Sequence, residues 1–230
     1  MSAIKTPSQT AEVRVAVAGA NGLIGQALLR LLSVDTETAL IYALLRRPAP
    51  PIDLLPRVQS LLVDYAALDG RIPPIDEAFC CLGTTIKTAG SQQAFRAVDF
   101  DAVQTFAQVA RAAGARRFGV VSALGADAKS TLFYNRVKGE MEDAIAQVGF
   151  DSVTVARPSL LLGDRIALGQ RQRLGERLAT LLTQPLAGLI PRRVRPIRAH
   201  CVAQALLRAT REARPGLRVV DSAELQDLGR

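Results

Sequence analysis

The chain has 230 residues, a length that suits one domain, and 49% of them are apolar against 22% charged, so it can bury a real core. The formal charge is +8, which invites an anionic partner such as nucleic acid, a membrane surface or an acidic substrate. No apolar run approaches the roughly 18 residues of a membrane span, so no span is expected, and a membrane is not among the expected partners.

Residues 1–11 are polar, lack the apolar stretch of a secretory signal, and read as a disordered lead-in to one domain over 12–230. Val13–Ala18 (VRVAVA) reads as a buried strand. It runs into Gly19-Ala20-Asn21-Gly22-Leu23-Ile24-Gly25, a G-x-x-G-x-x-G loop that opens a helical pattern over Leu23–Leu32. Between a first strand and a first helix, such a loop binds a dinucleotide. Gly19 permits the tight turn, Gly22 lets the backbone approach the pyrophosphate, and Gly25 lets the helix pack on the strand. The helix start, with Asn21, Leu23 and Ile24, turns free N–H groups toward the anion.

Ala39–Leu45 is the second strand, ending in Arg46-Arg47-Pro48. A chain selective for NAD places Asp or Glu about 20 residues past the loop, for the ribose 2′-hydroxyl. Two arginines suit a 2′-phosphate instead, so the expected cofactor is NADP rather than NAD; a solvated turn is the plainer reading. Val58–Val63 is the third strand. Asp64 after it is a candidate for the adenine amino group, or a loop cap.

Pro73-Pro74 introduces a fourth strand, Asp76–Leu82. Cys80 and Cys81 in it, with Cys201, make an odd count without metal-ligand spacing, so a reducing, cytoplasmic setting and no metal are expected. Gln92–Ala113 has helical periodicity and stops at Gly114. Its apolar positions extend around more than one face, which suggests a homodimer surface. Arg117–Ser122 is the fifth strand, Tyr134–Val148 a helix ended by Gly149, and Ser152–Ala156 the sixth strand, before Pro158. Apolar strands alternating with helices give an α/β fold class: a Rossmann, doubly wound parallel sheet with helices on both faces.

The pattern loosens after Gly163, and residues 163–200 read as a small C-terminal substrate lobe over the strand ends. From Arg165 to Arg198 there are eight arginines and one acid, Glu176. They form a solvated face, or a pocket for an anionic substrate or the cofactor phosphate. No aromatics interleave them, which argues against nucleic acid. His200 opens a helix running to Arg211 and reads as a helix-end histidine. Leu217–Val220 is a last short strand.

Tyr134 and Lys138, four apart, lie one above the other on a helix face. A phenol is a poor acid or base at neutral pH, its free pKa being about 10. A fixed ammonium beside it favours acid–base work. Ser122, at a strand end, is placed to hold a carbonyl oxygen while Tyr134 donates a proton.

Further pieces join these residues: Cys81-Leu82-Gly83-Thr84-Thr85, Phe95-x-x-Val98-Asp99, Val121-Ser122, Gly125-Ala126-Asp127, Phe133-Tyr134, Val137-Lys138-Gly139-Glu140 and Arg157-Pro158-Ser159. Over residues 13–165 the chain resembles a short-chain dehydrogenase/reductase of the atypical, single-domain kind. More narrowly, it resembles the Tat-interacting-protein-like branch of NAD(P)-binding oxidoreductases. The resemblance implies a Rossmann fold, a nicotinamide cofactor and catalysis by Ser122, Tyr134 and Lys138, with Lys138 also on the nicotinamide ribose. It implies that Gly83 and Thr84 border the cofactor ribose, and that Pro158 and Ser159 border the nicotinamide. Thr84 and Thr85 also read as caps or turn formers. Two departures stand out. Ala123 sits where relatives often carry a second serine, and Asp99 where better-known members carry a helix-kinking asparagine that joins a proton relay.

The expected function is therefore an NADP(H)-dependent oxidoreductase that passes a hydride to or from a small carbonyl or alcohol. The alternatives are an NADP(H)-binding regulator with a protein partner, and a sugar-nucleotide epimerase-like enzyme, which normally needs a larger C-terminal lobe.

Overall fold

The computed structural model describes residues 13–68, 70, 72–162 and 191–230. The lead-in expected over 1–11, and the part of the substrate lobe over 163–190, lie outside the described residues. Strands β1 (Val13–Ala18), β2 (Thr38–Leu45), β3 (Val58–Leu62), β4 (Glu77–Cys80), β5 (Arg117–Val121), β6 (Ser152–Arg157) and β9 (Gly216–Asp221) form one parallel sheet in the order β3-β2-β1-β4-β5-β6-β9. A separate pair, β7 (Leu161–Leu162) and β8 (Ile197–Arg198), is also parallel.

Strand side chains alternate between faces, and here both faces are covered. Val15, Val17, Ile41 and Ala43 point to a layer holding α1 (Leu23–Val34) and α7 (Ala199–Arg211). Ala16, Ala18, Leu44 and Cys80 point to the layer of α5 (Ala102–Ala112) and α6 (Phe133–Ala146). The short helices α2 (Pro50–Asp53), α3 (Ile86–Ala89), α4 (Gln92–Arg96) and α8 (Ser222–Leu228) complete the chain. On α1, Ile24, Leu28 and Leu32 recur every fourth residue and are buried, together with Leu29. Fully burying each contributes about 2 kcal/mol.

Two expected elements are corrected. The fourth strand shrinks from Asp76–Leu82 to β4: the Cys81 N–H still bonds the Ala18 carbonyl of β1, and beyond it the chain passes close against Gly19. The helix expected over Gln92–Ala113 is three pieces, with a π turn over Ala97–Asp101 between α4 and α5. That extra residue in the ladder shifts the helical phase, so the apolar positions on its two sides trace different stripes. Phe95, before the turn, and Val103, Phe106, Ala107 and Ala110, after it, are nonetheless all buried. The wide apolar spread that suggested a dimer surface follows from this phase shift.

At the N-terminal ends of the strands an ion network fastens α7 to the sheet. Arg211 meets Asp35 at 2.9 Å and Glu77 at 3.3 Å, and Arg117 meets the same Glu77, wholly buried, at 2.8 Å. The opposite ends, where β1 and β4 send the chain in opposite directions, form the crevice in which such sheets bind ligands.

Candidate active site

The glycine loop leaves β1 into that crevice. Gly19 takes φ +75°, and a Cβ there would stand 2.5 Å from the Cys81 carbonyl and 2.6 Å from the Leu82 nitrogen. A Cβ at Gly25 would stand 2.2 Å from the Gly19 oxygen, so Gly25 makes room for the loop itself at the end of β1. Gly22 donates to that same oxygen at 2.9 Å and caps α1 with no side chain. The first turn of α1 carries no acidic residue, so its N–H groups and dipole face the crevice without a competing carboxylate. Asn21, Leu23 and Ile24 lie in this stretch, Ile24 buried and the other two half-buried. A phosphate fits such a cradle, and a bulkier residue at Gly19 or Gly25 would not.

At the end of β2, Arg46 and Arg47 are exposed. Asp64 follows β3 and accepts the Ala66 N–H at 3.0 Å, capping the turn over Tyr65–Ala67. One of its oxygens is thus spent on its own loop, as the plainer reading expected. Thr85 likewise caps α3.

The π turn brings Asp99 under the loop after β4. Asp99 Oδ2 accepts the Thr84 N–H at 2.8 Å, and Oδ1 meets Lys138 Nζ at 2.7 Å. Both side chains are almost wholly buried, 1% and 3% exposed. A Cβ on Gly83 would lie 3.5 Å from Asp99 Oδ1 and 3.9 Å from Lys138 Nζ, so Gly83 roofs this pair. Burial opposes the Lys138 charge, but the Asp99 carboxylate, and after it the Tyr134 phenol, outweigh burial and hold its pKa above the ordinary value. Burial also pushes the neighbouring Cys80 thiol up to about 12, which removes it from nucleophilic chemistry.

Tyr134, Lys138 and Glu142 follow one another at single-turn spacing along α6. Gly139 seats this helix: a Cβ there would stand 2.0 Å from the Ala128 nitrogen of the loop that crosses it. The Tyr134 ring packs 5.2 Å from that of Phe95. Ser122, 5% exposed, donates its hydroxyl proton to Glu142, which Arg157 grips through Nε at 3.0 Å and through Nη2. Sequence reasoning missed Glu142. Its signal was faint: an acid one turn beyond Lys138, on a helix whose adjacent residues Met141 and Ile145 are core.

Pro158 and Ser159 stand just past β6. The Pro158 carbonyl accepts the Leu124 N–H at 3.0 Å, tying the loops after β5 and β6 together. The Ser159 hydroxyl donates to the Arg195 carbonyl and so holds the chain ahead of β8. Of the arginines in the basic segment, Arg192 pairs with Asp227 and Arg193 with Asp221. His200 is an exposed residue in the first turn of α7. Among the described residues no cluster of three metal-ligating side chains occurs, and no helix is long and apolar enough to cross a membrane.

The model of an NAD(P)H-binding family matches residues 19–180. Protein HTATIP2 of Rattus norvegicus is 36% identical over 169 residues, which cover 72% of this chain and 68% of that protein. The mitochondrial protein FMP52 of Eremothecium gossypii is 31% identical over 223 residues, 92% of this chain and 95% of its own. Among solved structures, an oxidoreductase of the short-chain dehydrogenase/reductase family from Burkholderia thailandensis matches with a TM-score of 0.70, 20% identity and 93% coverage of each chain, a likeness of fold.

Proposed function

Since this chain belongs to the NAD(P)H-binding family, within the branch of HTATIP2 and FMP52, we propose that it is an NADP(H)-dependent oxidoreductase acting on a small carbonyl or alcohol. The observation that carries this reading is the Tyr134–Lys138 pair on α6, with Lys138 buried beside Gly83 at the crevice that the glycine loop enters. When bound, the nicotinamide supplies or takes the hydride. The chain's own part is proton transfer and position. Tyr134 gives a proton to the substrate oxygen or takes one from it, and Lys138 fixes the ribose side of the site. The α1 N-terminus holds the pyrophosphate, and Arg46 with Arg47 favours a 2′-phosphate. Gly83 and Thr84 border the ribose, and Pro158 and Ser159 the nicotinamide. Ser122 bonds a carbonyl oxygen by turning toward it the proton that it otherwise gives to Glu142.

The test is a titration with NADPH and NADH, followed by NADPH oxidation across a panel of small carbonyls. Tyr134→Phe should leave binding unchanged and lower turnover about a hundredfold or more. Absence of turnover with every carbonyl would count heavily against the enzyme reading.

A second reading rests on one observation. The Ser122 proton is committed and Ala123 occupies the next position, so no serine donor is free at this strand end. That favours an NADP(H)-binding regulator, in which cofactor occupancy changes a partner surface. Tight NADPH binding with no turnover, and partner capture that depends on NADPH, would select it. In either case the free cysteines suit a reducing compartment, and we keep the cytoplasm as the proposed location, to be checked by fractionation of the source cells.

A further inference from the structure

Three loops are stitched together beside the crevice. The Leu124 N–H, after β5, donates to the Pro158 carbonyl, after β6, at 3.0 Å, and the Ile197 N–H of β8 donates to the Leu160 carbonyl at 2.9 Å. The Ser159 hydroxyl donates to the Arg195 carbonyl. The loop after β5 is also tied to the start of α6, where the Asp127 N–H donates to the carbonyl of Asn135, the residue after Tyr134, at 3.0 Å.

This platform carries exposed apolar side chains. Leu124, Leu132, Leu160 and Val194 are each at least 40% exposed. Leu124 stands two residues past Ser122, Leu132 two before Tyr134, and Leu160 next to Ser159, while Val194 adjoins the Arg195 that Ser159 holds. Single surface leucines need no explanation, but a group of them at the mouth of a crevice does. The arginines of this end do not offset them. Arg157 is paired with Glu142, Arg192 with Asp227 and Arg193 with Asp221, so a phosphate or carboxylate on a substrate would compete with a carboxylate already in place. Small-molecule sites are lined mostly by apolar side chains, with a few polar groups that orient the ligand. Ser122 and Tyr134 are those polar groups here.

We propose that Leu124, Leu160 and Val194 are specificity-determining residues, and that the carbonyl or alcohol turned over here carries a neutral apolar substituent, an alkyl or aryl group, rather than a carboxylate, a phosphate or a sugar. This deepens the oxidoreductase reading and rests on it. Removing apolar area from water favours a longer substituent and leaves the carbonyl chemistry to the polar groups.

The probes are methyl ketones of rising chain length and, for each length, the keto acid with a carboxylate at its far end. With NADPH in excess, kcat/KM of the wild type should rise about threefold for each added methylene until the surface is covered. Each keto acid should fall about tenfold or more below the neutral ketone of its length. The double variant Leu124→Ser/Leu160→Ser should flatten the series to less than about twofold per methylene and leave NADPH affinity unchanged. Both positions are exposed, so the variant should fold, and thermal unfolding checks that it does. A flat wild-type series, a preference for the keto acids, or a slope kept by the double variant overturns the proposal.

A second readout needs no turnover. Primary alkyl amides of the same lengths keep a carbonyl that a nicotinamide does not reduce. With NADP bound, they should raise the thermal midpoint of the wild type more with each methylene, and should not do so for the double variant. If the amides bind in this way while no ketone is turned over, the oxidoreductase reading fails and the apolar site stands. If ketones are turned over without regard to chain length, the oxidoreductase reading stands and the apolar site fails. Neither turnover nor length-dependent binding overturns both.

Discussion

The Ser122 hydroxyl donates its proton to Glu142, two turns beyond Tyr134 on the same helix, and Arg157 grips that carboxylate from the end of β6. The residue expected to bond substrate is thus also a rivet between α6 and the two strands beside it. Glu142→Ala would leave Arg157 and Ser122 facing a void and should cost about 3 kcal/mol, whereas Glu142→Gln keeps an acceptor and should cost about 1 kcal/mol. Urea unfolding measures both. Equal costs would show that the acceptor and volume kept by glutamine count for nothing, since both variants remove the charge.

Arg46 and Arg47 are exposed at the end of β2, where a 2′-phosphate would lie. Replacing both by alanine should weaken NADPH binding about tenfold or more and leave NADH within about twofold, because only the former carries the phosphate. Fluorescence titration of the two reduced cofactors decides this. Equal weakening of both would reassign the arginines to a solvated turn.

Gly25→Ala places a methyl group 2.2 Å from the Gly19 oxygen, inside backbone that cannot yield cheaply. The loop must open, and cofactor affinity should fall about a hundredfold, with stability lowered by about 2 kcal/mol. Cofactor titration and thermal unfolding read the two effects. Unchanged affinity would mean that the loop does not hold the pyrophosphate.

Arg211→Leu removes a partner from Asp35 and from the fully buried Glu77. The cost should be about 3 kcal/mol at neutral pH. Burial raises the Asp35 pKa, but the bonds from Thr38 and Arg211 outweigh it and hold it below the ordinary 3.8. A lowered folded-state value gives stability that is present above the unfolded value and lost as pH falls through the folded one. The gap between variant and wild type should therefore narrow below about pH 4. A gap constant from pH 7 to pH 3 would remove Asp35 from the account.

The strands and the glycine loop were legible because each rests on local pattern: buried strands in a doubly covered sheet are continuously apolar, and the loop needs glycines at fixed places. The three residues of the proposed reaction centre were legible too, but not their partners. Glu142 and Arg157 are far apart in sequence, and nothing local marks a glutamate as buried. The π turn was hidden for another reason. A helical pattern interrupted by one residue still resembles a helix, and its altered phase was read as extra apolar surface for a second copy. Asp64 and Thr85 show the reverse case, since short polar side chains ahead of turns have two readings and the capping one is visible only in the hydrogen bonds.

The turn over Ala97–Asp101 holds one residue more than an α-helix would use. Deleting any residue there would restore regular spacing and rotate one flank against the other by about 100°. Either Asp99 would swing away from Lys138 or Phe95 away from Tyr134. Segment length is therefore as much a requirement as residue type. In a related sequence, a one-residue gap aligned here would mark the loss of the ion pair or of the ring contact even where every letter of the Tyr-x-x-x-Lys motif is kept.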